Sequence, residues 1–232
     1  MKSHAFIICW PGKEDYADSI ARSVVNHVDL LTVIYSTKDD SDVQGAGTWL
    51  KVPDNHYYGL KFAEILKNFQ EDIMIQIHAD TDYHDWKNLI CKLKQSFISE
   101  DIGVWAPDFD NTFWDLKSVI VNGGSLNIWD VCQTDCIVWA LSKRVCSNLI
   151  RYDYAKNNIG WGIDWAAICY CYCNNLRVIR DSSIVVSHHK GTGYGHVDAM
   201  FQMELFLGQM SVQERNMFSM LQSKISVNKN AK

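Results

Sequence analysis

Short apolar runs alternate with helical patterns along the first half of the chain. Runs of aliphatic and aromatic residues predict strands over residues 4–10, 30–36 and 72–79. Apolar positions spaced three and four residues apart predict helices over residues 14–27 and 58–69. This strand–helix alternation indicates an α/β fold with a mixed, mainly parallel central sheet flanked by helices.

The second half continues the pattern and ends in helical sequence. Its predicted elements are a helix over 85–98, a strand over 102–106, extended structure over 128–142, a helix over 143–152, a helix after the glycines at 160 and 162, a strand over 176–187 and helical sequence over 198–225. We therefore expect one domain over residues 1–197 and a helical tail over 198–232.

Composition narrows the class of protein. Of 232 residues, 47% are hydrophobic and 21% are charged, which is typical of a soluble globular domain. A net charge of −5 argues against a nucleic-acid polymer as partner. No signal peptide or membrane-spanning run is visible. The eight cysteines lack a C-x-x-C pair, which favours free thiols in a reducing cytoplasm.

Two carboxylates follow the strand predicted over residues 72–79. If the chain stays extended, Asp80 and Asp82 point to the same side, because side chains alternate along a strand. Two such carboxylates repel each other unless a hard divalent cation, shared with a phosphate, lies between them. The alternative is a solvated Asp-Thr-Asp turn.

Two further motifs follow the Asp80-x-Asp82 pair along the chain. The segment Gly160-Trp161-Gly162-Ile163-Asp164-Trp165 is followed by a strand that ends in His188-His189. Together with Asp80-x-Asp82, this order resembles the GT-A fold glycosyltransferases, in particular the inverting, nucleotide-sugar-dependent enzymes of the family 2 type. The resemblance covers about residues 4–195, with a nucleotide-sugar and metal half over 1–127 and an acceptor half over 128–197.

The resemblance implies a metal site and its ligands. Mn²⁺ or Mg²⁺ would neutralise the diphosphate of the donor, with Asp82 as the direct ligand. Asp80 would face the ribose or reach the metal through water, and a histidine would complete the coordination. We favour His188 for that position, which leaves His189 toward the acceptor or sugar, because alternation lets only one of them point into the site.

Contacts to the nucleotide sugar are expected at the ends of the first strands. By family position Pro11 and Asp39 lie where such enzymes hold the nucleotide, and a UDP-sugar is the expected donor. Lys61, on the helix before the metal strand, is expected to approach the diphosphate. A solvated helix face is the alternative explanation for this lysine.

Asp164 resembles the catalytic base of the family. It would accept the proton of the attacking acceptor hydroxyl, and a helix N-terminus would keep it ionised. Trp161, Gly162 and Trp165 beside it would contact the acceptor or the sugar. The alternatives are that Asp164 only caps a helix and that the tryptophans belong to the core.

The tail is rich in methionine and aromatic residues, among them Met200, Phe201, Met203, Phe206 and Met210. It is expected either to pack on the domain or on a second copy, or to bring the site to a membrane surface. The implied function is transfer of a sugar to a glycan or lipid-linked acceptor in polysaccharide biosynthesis. The alternatives are an inactive carbohydrate-binding scaffold and a nucleotidyltransferase, although residues 4–16 offer only one glycine and one lysine for phosphate binding.

Overall fold

The computed structural model of the chain describes residues 1–39, 41–99, 101–123, 127–188 and 194–230. The strands are β1 Ser3–Ile8, β2 Leu30–Tyr35, β3 Thr48–Lys51, β4 Ile73–His78, β5 Thr81–Asp82, β6 Ile102–Phe109, β7 Ile120–Asn122, β8 Ile128–Val131, β9 Val138–Ser142 and β10 Arg177–His188. The helices are α1 Glu14–Val24, α2 Tyr58–Asn68, α3 Trp86–Ser96, α4 Leu116–Val119, α5 Lys143–Leu149, α6 Ile163–Cys173, α7 His196–Leu207 and α8 Val212–Asn230.

The strands form one mixed sheet in the order β3-β2-β1-β4-β9-β6-β10-β8-β7, with β5 paired to the end of β10. Strands β1, β2, β3, β4, β6, β7 and β10 run in one direction, whereas β8 and β9 run in the other. The prediction of a mixed, mainly parallel sheet flanked by helices is therefore confirmed.

Helices cover both faces of the sheet, which explains why the central strands read as continuous apolar runs. On β1, Phe6 and Ile8 join the core beneath α2, α5, α6 and α8, while Ala5 and Ile7 join the core beneath α1 and α3. All four side chains are fully buried. The polar residues of β1, Ser3 and His4, lie at its start and are buried with hydrogen bonds to Asp29 and Thr32.

Both ends of the segment over residues 128–142 are extended, as predicted, but a loop separates them. The segment forms two strands, β8 and β9, that belong to different parts of the sheet. Strand β8 pairs with β10, whereas β9 inserts between β4 and β6. Residues 132–137 must cross from one place to the other, so they form a loop. The short elements α4 and β7 were not predicted from the sequence.

The helical tail is built into the same core as the rest of the chain. It consists of two helices, α7 and α8, separated at residues 208–211. Helix α8 packs against α6 and α4, and its Leu221 and Ile225 are buried beside Phe206 of α7. The predicted boundary between residues 197 and 198 falls inside α7, so it does not separate two structural units.

The strand directions bring several polar residues to one edge of the sheet. Since β1, β2, β4, β6 and β10 run the same way, their carboxyl ends all lie there. Strand β9 runs oppositely, so the loop over residues 132–137 that precedes it reaches the same edge. His78 and His188 are the last residues of β4 and β10 at this edge.

Candidate active site

The chain turns immediately after β4 instead of staying extended. Ala79 and Asp80 form the turn, and the Thr81 hydroxyl closes it by donating a 2.6 Å hydrogen bond to the His78 carbonyl. Residues Thr81 and Asp82 then pair antiparallel with the end of β10, where Thr81 lies opposite His188. The expectation of an extended chain through Asp82 is therefore wrong.

Three side chains converge at this turn. One candidate ligand atom from each of His78, Asp80 and His188 lies within 4.8 Å of the other two. Nε2 of His188 is 3.5 Å from Oδ2 of Asp80. Nε2 of His78 and Oδ1 of Asp80 are buried and have no hydrogen-bond partner among the described residues. Buried polar atoms left without a partner are costly, so these two fit a bound cation.

Asp82 does not belong to this group. It is exposed and pairs with Ser187 across the β5–β10 ladder, and it lines the same cavity as Asp80 and His188 without joining the three converging ligand atoms. His78, which precedes Asp80 by two residues, joins the group that Asp82 was expected to join, and ligation by Asp82 stays a prediction. His78 was missed because a histidine at the end of an apolar strand gives no local sign of being aimed into a site.

The protonation states of the group suit metal binding. Burial lowers the pKa of His78 to about 4, although Asp80 opposes this shift. Burial also raises the pKa of Asp80, but the hydrogen bond from His188 and the two nearby imidazoles outweigh it and bring the pKa to about 2. At neutral pH the site therefore presents a neutral His78 imidazole and an ionised carboxylate, which are the forms that ligate metals.

Aromatic neighbours hold the His78 ring in place. The rings of Tyr58 and Trp10 meet it edge-on, with centroids 5.1 Å and 5.8 Å away. The Tyr58 hydroxyl in turn donates to Oε1 of Gln76, which also accepts a hydrogen bond from Nε1 of Trp139. The ring orientation of His78 is thus set by packed, hydrogen-bonded side chains rather than by solvent.

Lys61 is fully buried and bonded to protein groups, so the alternative of a solvated helix face is wrong. Its Nζ donates to the carbonyl of Cys9 at 2.6 Å and to Oγ of Ser36 at 2.9 Å, and it lies 4.4 Å from the centroid of the Trp10 ring. Burial lowers the pKa of Lys61 to about 8. The ammonium therefore links the ends of β1 and β2, and its contact with a diphosphate stays a prediction.

Pro11 and Asp39 lie at the expected edge but outside the histidine–aspartate group. Pro11 is partly exposed in the turn that follows β1. Asp39 is exposed after β2, and its carboxylate accepts hydrogen bonds from the backbone N–H and hydroxyl of Ser41 at 3.3 Å and 2.8 Å. These bonds lower the pKa of Asp39. Contact with a nucleotide stays a prediction for both residues.

Asp164 lies in the first turn of α6, where the sequence predicted it. Its Oδ2 accepts a 2.7 Å hydrogen bond from Nε2 of Gln133. Burial raises the pKa of Asp164 to about 7 even though the Trp165 N–H and Gln133 stabilise the charge, and the carboxylate of Asp135 raises it further. The expectation that the helix N-terminus keeps Asp164 ionised is wrong, since burial dominates.

The loop over residues 132–137 supplies polar groups that sequence reasoning missed. Gln133 and Thr134 are fully buried, and Oε1 of Gln133 and Oγ1 of Thr134 have no hydrogen-bond partner within the part of the chain that the structure describes. Asp135 accepts a hydrogen bond from the Thr112 hydroxyl. The loop was missed because the segment was predicted as continuous extended structure. The run Gln-Thr-Asp inside an apolar stretch was the available signal.

Trp161 is the tryptophan that keeps a polar contact beside Asp164. It is partly exposed, and its Nε1 donates a 2.8 Å hydrogen bond to the hydroxyl of Tyr194. Its ring meets that of His196 edge-on at 5.4 Å. Trp161 therefore presents an aromatic face between α6 and the start of α7.

Trp165 and Gly162 serve the packing of α6 instead. Trp165 is 5% exposed and its ring lies edge-on to Trp114 and Phe218, so it belongs to the core rather than to an acceptor site. Gly162 has a φ of 89°, and a Cβ there would lie 2.9 Å from Cγ of Met203. Close packing thus accounts for this glycine. The predicted contact His189 lies outside the described residues.

A cavity of about 760 Å³ opens beside the histidine–aspartate group. Asp80 and His188 line the cavity on one side. Lys13 and Tyr16, at the start of α1, line it on another. Pockets of this size accommodate small-molecule ligands. The cavity gives solutes access to the group from solvent.

Helix α7 carries an exposed apolar stripe. Val197, Met200, Phe201 and Leu205 follow the helical spacing of one face, and Val197 and Phe201 are 83% and 61% exposed. Among the residues that the structure describes, no helix is long and apolar enough to cross a membrane.

Comparison with known proteins reveals similarity in structure but not in sequence. No protein-family model matches the chain, and no curated protein matches its sequence. The chain is similar to glucosyl-3-phosphoglycerate synthase from Mycobacterium tuberculosis, in a complex with Mn²⁺, UDP and phosphoglyceric acid, with a TM-score of 0.59 and 14% identity. The match covers 97% of this chain and 78% of that one.

Two further solved structures share the fold. GalNAc-T7 with UDP, GalNAc and Mn²⁺ matches with a TM-score of 0.64 and 11% identity over 94% of this chain and 50% of that chain. UDP-glucose pyrophosphorylase complexed with UDP-glucose matches with a TM-score of 0.55 and 8% identity over 90% and 100%. At such low identity the likeness establishes the fold, so the predicted GT-A fold is confirmed.

Proposed function

We propose that the chain is a metal-dependent glycosyltransferase that moves a sugar from a nucleoside-diphosphate sugar, a UDP-sugar, to a hydroxyl acceptor. The observation that carries this proposal is the group of His78, Asp80 and His188, with its two unpaired buried atoms, at the carboxyl edge of the sheet. Ligands of α/β sheets bind at this edge. Similar structures hold UDP together with Mn²⁺, which supports the choice of donor.

Mn²⁺ or Mg²⁺ held by these three side chains would offset the negative charge that develops on the leaving diphosphate. The chain contributes the ligands in their binding forms, because His78 is neutral and Asp80 is ionised at neutral pH. The surrounding aromatic rings exclude water from one side of the group. Pro11 and Asp39 are proposed to contact the nucleotide.

We assign the general base to Asp164 and the transfer to a single, inverting displacement. A carboxylate with a pKa of about 7 is well matched to accept a proton from an attacking hydroxyl near neutral pH. Gln133 orients the carboxylate by its hydrogen bond to Oδ2. The acceptor hydroxyl would lose its proton to Asp164 as its oxygen bonds to the anomeric carbon and the nucleoside diphosphate leaves.

The acceptor is proposed to be a glycan or a lipid-linked sugar. The exposed apolar stripe on α7 begins close to Trp161, since the ring of His196 at the start of that helix contacts the ring of Trp161. Such a stripe suits a membrane surface that presents a lipid-linked acceptor. A second copy of the chain is the other occupant that the stripe suits.

The donor can be tested by thermal unfolding with nucleoside diphosphates and nucleotide sugars, with and without Mn²⁺. A ligand at about 100 times its dissociation constant adds roughly 2.7 kcal/mol of stability. We expect a uridine nucleotide to stabilise the chain only when metal is present. A panel without any response, or one unaffected by chelator, contradicts the proposal.

Catalysis is tested separately with Asp164→Asn. We expect lost turnover with retained donor binding, and NMR of the wild-type product is expected to report an anomeric configuration opposite to that of the donor. Retention of configuration, or full activity of the variant, contradicts the assignment of the base.

A nucleotidyltransferase is the second candidate, because UDP-glucose pyrophosphorylase has the same fold. That reaction would release pyrophosphate when a sugar phosphate and a nucleoside triphosphate are supplied. The turn after β1, Trp10 to Lys13, offers one glycine and one lysine for a triphosphate, which favours the glycosyltransferase. Measurement of released pyrophosphate separates the two.

A further inference from the structure

A buried lysine joins the ends of two strands at the edge of the sheet where the nucleotide is proposed to bind. Lys61 of α2 is fully buried, and its Nζ donates hydrogen bonds to the Cys9 carbonyl and the Ser36 hydroxyl, which form a bridge between the residues that follow β1 and β2. We propose that Lys61 is a positioning residue, which through this Lys61 bridge fixes the strand ends that carry Pro11 and Asp39. The inference rests on the proposed function, which assigns the nucleotide to that edge.

The Lys61 bridge takes the place of a hydrogen bond of the sheet. The Cys9 N–H donates to the Ile34 carbonyl at 2.9 Å, which continues the β1–β2 pairing by one residue. In a regular parallel ladder the next bond would run from the Ser36 N–H to the Cys9 carbonyl. Among the described residues that backbone bond is not formed, and the Cys9 carbonyl accepts from Lys61 instead. The distance between the two strand ends is therefore set by the Lys61 side chain rather than by the sheet.

Protein groups already engage the ammonium of Lys61. It carries three N–H donors, of which two make the bridge at 2.6 Å and 2.9 Å. Nζ also lies 4.4 Å from the centroid of the Trp10 ring, whose face attracts a cation. The side chain is fully buried among these groups. We therefore expect Lys61 to act on the nucleotide through the strand ends and not by direct contact.

The proton of Lys61 gives the bridge a dependence on pH. Burial lowers the pKa of Lys61 to about 8. A charged ammonium donates stronger hydrogen bonds than a neutral amine, so the bridge should weaken as the pH rises through this value. The other charged or titratable groups that face Lys61 are Cys9, Glu14, Asp54, His56 and His78. Burial raises the pKa of the Cys9 thiol to about 12 and lowers that of His78 to about 4, so neither changes its charge near the pKa of Lys61.

The test compares uridine with UDP, because only UDP carries the diphosphate. NMR titrations of the full chain with uridine, and with UDP and Mg²⁺, measure both affinities. Lys61→Met and Ser36→Ala each remove a side of the bridge and should weaken both ligands by the same factor, at least about fivefold. Lys67→Met is the control, because it makes the same substitution on the same helix at a side chain that is 63% exposed. It should change neither affinity.

A second measurement separates positioning from a purely structural role. In the wild type, the affinity for uridine should fall at least about threefold between about pH 7 and 9, as Lys61 loses its proton. Lys61→Met should show no such fall, and the difference between the two profiles removes any titration of the uracil ring itself. A lysine that only stabilised the fold would change the unfolding temperature without producing this pH profile.

The outcomes separate this inference from the proposed function. Equal weakening of uridine and UDP in both variants, with the pH profile lost in Lys61→Met, supports the inference. Weakening of UDP alone indicates direct contact with the diphosphate and overturns the positioning role, while the proposed function stands. Unchanged affinities in Ser36→Ala, or a flat wild-type profile, overturn it as well, even if Lys61→Met fails to fold. A wild-type chain that binds neither uridine nor UDP contradicts the proposed donor itself.

Discussion

Replacing the proposed catalytic carboxylate should make the folded chain more stable. Asp164 carries a pKa of about 7 in the folded state because it is buried, against an ordinary value of 3.8. The protonated form is therefore the one that the fold prefers. Asparagine resembles that neutral form in shape, so Asp164→Asn removes the cost of burying a charge.

The magnitude follows from the difference in pKa. At about 1.36 kcal/mol for each pKa unit, ionised Asp164 costs the folded state about 4 kcal/mol. By its exposed surface Asp164 is only partly buried, which reduces this figure, so we expect about 2–4 kcal/mol. For a chain of this length, each kcal/mol moves the unfolding temperature by about 2–4 °C, so at pH 8 the variant should gain on the order of 5–15 °C.

The direction of the pKa shift determines the pH range in which Asp164→Asn changes stability. Because the folded pKa lies above the unfolded one, the stabilising effect of protonated Asp164 is complete below about pH 4 and is lost as the pH rises toward 7. The advantage of Asp164→Asn should therefore be absent at pH 3.5 and grow between about pH 4 and 7. Differential scanning calorimetry across this range measures it.

Asp29→Asn is the matched control with the opposite sign. Hydrogen bonds from the backbone and hydroxyl of Ser3 lower the pKa of Asp29. This variant should be less stable than the wild type at pH 8, and the difference should disappear as the pH falls. An Asp164→Asn variant that gains nothing at pH 8, or gains the same amount at every pH, refutes the reasoning about burial.

Three further predictions concern the packing, the base and the exposed helix. Gly59→Ala should destabilise the chain by about 3 kcal/mol or more in thermal denaturation, since the added Cβ would lie 1.8 Å from a backbone carbonyl oxygen. Gly123→Ala is the control, because a Cβ there meets open space and should leave the stability unchanged. Gln133→Leu removes a bond that favours ionised Asp164, so the rising limb of the pH–rate profile should move to higher pH. Phe201→Asp should reduce sedimentation with anionic vesicles without changing the melting temperature, because Phe201 is exposed; unchanged sedimentation excludes the membrane contact.

Local sequence pattern predicted the elements that are buried on both faces. Strand β2 is apolar from Leu31 onward except at Thr32 because α-helices cover both sides of it, and such runs are visible without any tertiary information. The position of β9 could not be predicted in the same way. It pairs with β4, about 65 residues earlier in the chain, and with β6, and no local signal encodes such partners.

The candidate site lies where the sequence predicted it, at the carboxyl edge of the sheet. Asp80 and His188 were named because carboxylates and histidines after apolar strands are conspicuous, and the structure brings them together with His78, which was not predicted. Asp82 lies beyond the turn closed by the Thr81 hydroxyl and outside this group, and the roles of Asp82 and Asp164 stay predictions. The pKa of Asp164 depends on how far the folded chain buries the carboxyl group, which the sequence does not reveal.

The insertion of β9 between β4 and β6 has a consequence for the order in which the chain can fold. During synthesis, β4 and β6 are complete by residue 109, but each lacks its shared neighbour until residue 142 has been made. Until then two apolar strand edges stay open, and open edges are sites of misassociation. His188 is made later still, so the histidine–aspartate group is incomplete until β10 has been added. The sheet and this group are therefore completed together, near the end of folding, by contacts that are distant in sequence.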